Sequence, residues 1–183
     1  MMIAVLFARA DSVYKTLPDL DVYDELRDAR NYTGDSSVIA HPPCRAWGRL
    51  RHFAKPQPHE KDLALFAVNQ VQTLGGVLEH PSGSTLWPSA GLPRPGLRDK
   101  FGGFTFPCSQ KWWGHKFEKR TWLYVVGVEP SELPPFPINF HRPLLTMGSP
   151  GEGSKADREH TPYNLALWLV DLAARCKKTS VAA

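Results

Sequence analysis

Ile39-Ala40-His41-Pro42-Pro43-Cys44 and Gly76-Val77-Leu78-Glu79-His80-Pro81 flank a segment of helical period, and the three together define the sheet type. Each flank is a short apolar run that stops at proline. The double proline pins φ near about −65° twice and removes two backbone donors, so the first strand ends and Cys44 sits on a stiff turn. Between the two runs, Leu63, Ala64, Phe66, Ala67, Val68, Val71 and Leu74 recur at helical spacing, and Gly75-Gly76 supplies the stop. Strand, helix, strand over 37–79 predicts a right-handed parallel crossover. In such a sheet the chemistry belongs at the carboxyl ends of the strands, where both Cys44 and Glu79 fall.

Working outward, residues 2–8 form a continuous apolar run that reads as a central strand. Residues 21–24 read as a weaker second strand, 37–40 as the third, and 121–128 as a further one. The Pro- and Gly-rich stretch 82–103 reads as a surface loop, and the proline-rich 129–153 as an extended cover. Thr161 as N-cap and Pro162 at the first helical position open a last helix that runs to Cys176. The tail from Lys177 reads as frayed. The expected architecture is a single α/β domain over residues 1–176, with a mainly parallel sheet flanked by helices.

At 183 residues and 42% hydrophobic content, the chain has enough apolar surface for one real core. No apolar run is long enough to cross a membrane, and the first residues carry no basic leader, so no membrane partner and a cytoplasmic location are expected. Three cysteines at unpaired spacings argue against a disulfide framework, and Cys108 and Cys176 read as structural. Net charge is +4 at pH 7, and Arg45, Arg49, Arg51, His52 and Lys55 crowd behind Cys44. Such a cluster suits a phosphate-bearing partner, a nucleotide or a nucleic acid, with Trp47 as a stacking surface. Trp112-Trp113 reads as core and rim rather than as a base platform.

Four segments, taken in order, resemble the motifs of cytosine-C5 methyltransferases, and most closely the short relatives in bacteriophage genomes that lack a target-recognition domain. Pro42-Pro43-Cys44 is similar to the Pro-Pro-Cys loop, and Glu79-His80-Pro81 to the Glu-Asn-Val or Glu-Asn-Pro motif. Glu118-Lys119-Arg120-Thr121-Trp122 resembles the Gln-x-Arg-x-Arg strand entry, and Pro162-Tyr163-Asn164-Leu165-Ala166 the last, Asn-containing motif.

The resemblance implies a reduced class I methyltransferase-like, Rossmann-like fold and covalent chemistry. A thiolate adds to C6 of a pyrimidine and makes C5 nucleophilic. Cys44 is the implied nucleophile, its thiol pKa lowered by Arg45 and Arg120. Glu79, kept protonated by partial burial, is the implied acid toward N3, and Arg120 the implied clamp on O2 or a phosphate. The cofactor implied is S-adenosylmethionine, with Phe7, Asp11, Asp24 and Asn164 toward it. Arg45, Trp47, Arg49, His80 and Lys116 fall to substrate or phosphate, and no metal is implied. The partner is DNA or a pyrimidine nucleotide, in the host cytoplasm for a phage-encoded chain.

Departures from the family pattern shape two further expectations. Phe7 is followed by Ala8-Arg9-Ala10-Asp11-Ser12, with no glycine where backbone approaches the cofactor, so weak binding of S-adenosylmethionine is expected. Between Gly127 and Thr161 there is no room for a recognition domain, so little sequence specificity is expected. His80 stands where the family has Asn, and Glu118 and Trp122 where it has the outer Gln and Arg. Three alternatives stay open: a different carbon donor, as in thymidylate synthases, which also carry Pro-Pro-Cys; zinc on His41, Cys44, His80 and Cys108; or an inactive binding relative.

Overall fold

The computed structural model describes residues 2–49, 51–138 and 153–178. Six strands form one mixed sheet: β1 (Ile3–Leu6), β2 (Leu20–Val22), β3 (Val38–Ala40), β4 (Gly76–Pro81), β5 (Phe104–Ser109) and β6 (Arg120–Val126). Their order is β2-β1-β3-β4-β6-β5. The first four strands pair in parallel, whereas β6 runs antiparallel to β4 and β5 antiparallel to β6. The domain is therefore α/β as expected, with an antiparallel edge on a parallel centre.

Helix α1 (Glu60–Leu74) covers one face through Ala64, Ala67, Val68, Val71 and Leu74. Helix α4 (Tyr163–Arg175) covers the other through Leu165, Ala166, Leu169, Leu172 and Ala173. Alternation sorts β4 between them, with Val77 packing toward α4 and Leu78 toward α1. The Ser37 hydroxyl donates to the Ala173 carbonyl at 2.7 Å, which ties the C-terminal turn of α4 to the start of β3. The N-terminus of α4 accordingly lies toward the carboxyl ends of the parallel strands. Gly76 fixes the strand entry: at φ +127° its α-carbon is so close to β3 that a β-carbon would stand 2.0 Å from the Val38 carbonyl oxygen.

The sheet leaves β1 toward β2 on one side and resumes with β3 on the other. That reversal opens a crevice between the carboxyl ends of β1 and β3. The chain segments 7–12 and 41–45 line it, joined at its base by the His41 amide donating to the Leu6 carbonyl.

Two expectations need correction. The stretch 82–103 is no mere surface loop: it carries a short helix, α2 (Leu86–Ser89), and buries Leu86, Trp87 and Leu92. Trp87 donates its indole N–H to Thr105 at 2.8 Å and packs edge-on against Trp122. The tail is docked at Lys177, whose amide donates to the Gly127 carbonyl. Most of the proposed cover 129–153 and the last five residues of the tail lie outside the described residues. Another short helix, α3 (Lys155–Glu159), precedes α4. Among the described residues no helix is long and apolar enough to cross a membrane.

Candidate functional site

Cys44 is exposed on the turn that follows β3, and its carbonyl accepts from the amides of Trp47 and Gly48, which stiffens the turn. Burial among neighbouring protein atoms and the charge of Glu79 push its thiol above the ordinary range, while Lys119 pulls in the opposite direction. The free thiol is therefore protonated at neutral pH. This corrects the expectation of a pKa lowered by Arg45 and Arg120. Arg45 is bound to buried Glu60 at 2.9 Å, and Arg120, 73% exposed, leans on Glu118 at 3.3 Å.

Glu79 lies within β4 on the α4 face and is the centre of a buried polar network. Its Oε2 is 3.2 Å from His41 Nδ1, and His41 Nε2 is 3.0 Å from the Tyr14 hydroxyl. Its Oε1 accepts from Gln110 Nε2 at 2.9 Å and from the Thr121 hydroxyl at 3.4 Å. Burial alone would raise this carboxyl. The field of Lys119 and the hydrogen bond from His41 outweigh it and bring the pKa down to about 2. Glu79 is therefore an ionised acceptor in the free protein, not the protonated acid that the sequence suggests.

The consistent tautomer has His41 donating from Nδ1 to Glu79 and accepting at Nε2 from Tyr14. Tyr14 is buried, and desolvation together with Glu79 raises its hydroxyl pKa, so it stays a donor. The result is a Tyr–His–carboxylate chain beneath the crevice, with the imidazole fixed from both sides.

Strand parity separates Arg120 from this network. Thr121 and Leu123 face α4 with Glu79, whereas Arg120 alternates with Trp122 and Tyr124 toward the α1 side. The cation that acts on Glu79 and Cys44 is Lys119 instead, which pairs with no carboxylate among the described residues. Lys119, Gln110, Thr121 and Tyr14 went unread in the sequence. For Thr121 and Lys119 the signal existed: they stand two and four residues before Leu123, the cross-strand partner of Glu79, on one face. Tyr14 and Gln110 arrive on single-turn helices and left no periodic trace.

His80 lies on the opposite face, fully buried, with the Pro43 carbonyl near the ring but no hydrogen bond of good geometry at either nitrogen. Its ring packs 6.4 Å from Trp87, and burial pushes its pKa down to about 4 against the pull of Glu79 and the Pro43 carbonyl. It is a neutral core imidazole under the Pro42-Pro43 turn, not a substrate contact. Trp47 is only 6% exposed and belongs to the α1-side core, with Lys61 over its ring at 5.7 Å, so it offers no free stacking face. Arg49 is exposed beside Gly83. Lys116 pairs with Asp157 at 3.3 Å.

On the cofactor side of the crevice the residues are engaged with one another. Phe7 takes φ +62° where a glycine is usual and packs edge-on against Phe66. Asp11 and Glu159 both bind Arg9, at 2.9 and 2.6 Å. Asp24 accepts from Lys15 at 2.6 Å and from the amides of Leu26 and Arg27. That Asx turn explains its position after β2 without a ribose. Asn164 is exposed in the first turn of α4. Among the described residues no group of three His, Cys, Asp or Glu could hold a metal ion. No family model, curated protein or solved structure matches this chain.

Proposed function

We propose that this chain is a reduced, methyltransferase-like enzyme that modifies a pyrimidine base by adding the Cys44 thiolate to ring C6, as cytosine-C5 methyltransferases do. One observation carries the reading: an exposed thiol on a rigid strand-end turn lies near an ionised glutamate, whose Oε1 accepts from Gln110 and Thr121 and whose Oε2 accepts from His41, and a lysine acts on both. Formation of the S–C6 bond moves the C5–C6 π pair onto C5 and into the ring. C5 then takes a proton from water, and when water removes the other C5 proton the electron pair re-forms the C5–C6 bond and expels the thiolate.

Lys119 offsets part of the rise in the thiol pKa, but the thiol stays protonated in the free protein, so its proton passes to water as the S–C6 bond forms. Glu79, ionised, offers an acceptor to the ring edge. A uracil N3–H meets it directly, whereas a cytosine must take up a proton at N3. S-adenosylmethionine does not fit the residues that the resemblance assigns to it. Phe7 and the Arg9–Asp11–Glu159 cluster occupy the approach, and Asp24 is spent on Lys15 and its own turn, so no step is routed through that donor. The same engaged crevice and the raised thiol favour a second reading, an inactive relative that binds nucleotides or DNA.

Exchange of the C5 hydrogen into deuterated water separates the two and needs no methyl donor. The enzyme reading expects exchange on cytosine or uracil, as mononucleotides or in short strands, and none with Cys44→Ala. Absence of exchange on every one of these substrates with the parent protein overturns it.

A further inference from the structure

The turn that carries Cys44 continues into a basic loop that ends at α1, and one side chain there has no structural role. Phe53 is 86% exposed. A single exposed aromatic is ordinary on its own. Its setting is what distinguishes it. Arg49, Arg51, His52 and Lys55 surround it in sequence, and none of them forms a salt bridge among the described residues. The nearest acid in the chain, Glu60, is buried and already bound to Arg45 and to the Gln57 amide.

The loop is also anchored along its length. The Gly48 carbonyl accepts from the Arg51 amide, the Arg51 carbonyl from the Ala54 amide, and Glu60 holds both Arg45 and Gln57. Pro56 and Pro58 stiffen its end. Phe53 is thus presented on a chain of turns that starts at the Cys44 carbonyl, with cations on either side of it in sequence.

We infer that Arg49 and residues 51–55 form a landing surface for a single-stranded polynucleotide, with Phe53 stacking a base next to the target and Arg49, Arg51 and Lys55 meeting the flanking phosphates. An aromatic among cations fits a strand, because bases in a duplex bury the faces that Phe53 would need. The inference rests on the pyrimidine reading for what occupies the crevice, and it makes the substrate a polymer rather than a free nucleotide. Phosphodiester and base face are common to DNA and RNA, so the two are separate arms of the test.

Fluorescence anisotropy with a short labelled strand of mixed sequence, as DNA, as RNA and as DNA duplex, tests it. Phe53→Ala folds as the parent does, since the ring is exposed, and is expected to weaken single-strand binding about tenfold or more. Phe53→Trp should restore it. Arg51→Gln and Lys55→Gln should each lower the salt slope by about 0.7. Tighter binding of the stronger single-stranded arm identifies the sugar. Equal affinity of parent and Phe53→Ala, or preference for the duplex, overturns the inference. Binding that depends on Phe53 without C5 exchange upholds this surface and retires the covalent reading; exchange without such dependence does the reverse.

Discussion

Glu79 has a titration behaviour opposite to the one its burial suggests, and His80 beside it in sequence is buried neutral on the other face of the sheet. Both bear on acid stability, in different windows. The folded pKa of His80 is about 4, below the ordinary value, and so is that of His115, which burial, Lys119 and His160 hold at about 4. Their contribution is complete above about pH 6.5 and is lost as pH falls toward 4, because the unfolded chain takes up those protons first. Each group adds a slope of up to about 1.4 kcal/mol per pH unit there. Glu79 contributes fully above about pH 4.5, and its share disappears as pH falls toward 2. His80→Gln should therefore flatten the loss between pH 6.5 and 4, followed by urea midpoints across that range, and leave the steeper loss below pH 4.5. An unchanged slope in the first window would contradict the neutral buried assignment. The sequence marks Glu79 as a strand-end carboxyl but carries no sign of its charge state, which Lys119 and His41 set from two other segments against the effect of burial.

The parallel centre of the sheet was legible element by element because each piece is locally over-determined. Helix α1 has a continuous apolar period and a glycine stop, and it ends at Leu74, where Gly75-Gly76 predicts the stop. The antiparallel edge was less legible, since β5 contains Pro107 and reads weakly as a strand. Pro107 is tolerated there because β5 is an edge strand. The stretch 82–103 was misread for a related reason: proline and glycine report turns, while Leu86, Trp87 and Leu92 are too sparse to show a period. Packing decides that segment. Trp87→Ala should remove an indole packed against Trp122 and His80 together with its bond to Thr105, destabilising the domain by roughly 3–5 kcal/mol in chemical denaturation. A change below about 1 kcal/mol, the range of ordinary surface substitutions, would return the stretch to the surface.

At the scale of the whole molecule, the sheet order creates one crevice, and the chain brings its reactive groups to that edge from 41–45, β4 and 110–121. The sequence located Cys44 and Glu79 at the strand ends because proline stops mark those ends. It could not locate their partners, since the antiparallel return of β6 determines that Thr121 faces Glu79 and Arg120 does not. The claim on which the account turns is covalent capture of a pyrimidine by Cys44. Its most direct test is intact mass after incubation with 5-fluorocytosine- and 5-fluorouracil-containing mononucleotides and short strands, with and without S-adenosylmethionine, followed by peptide mapping. The account predicts an adduct on the peptide carrying Cys44, formed equally with and without S-adenosylmethionine, retained in Cys108→Ala and Cys176→Ala and lost in Cys44→Ala. An adduct that requires S-adenosylmethionine would contradict the reading of the engaged crevice, and no adduct with either base, or one mapped to another residue, would contradict the account itself.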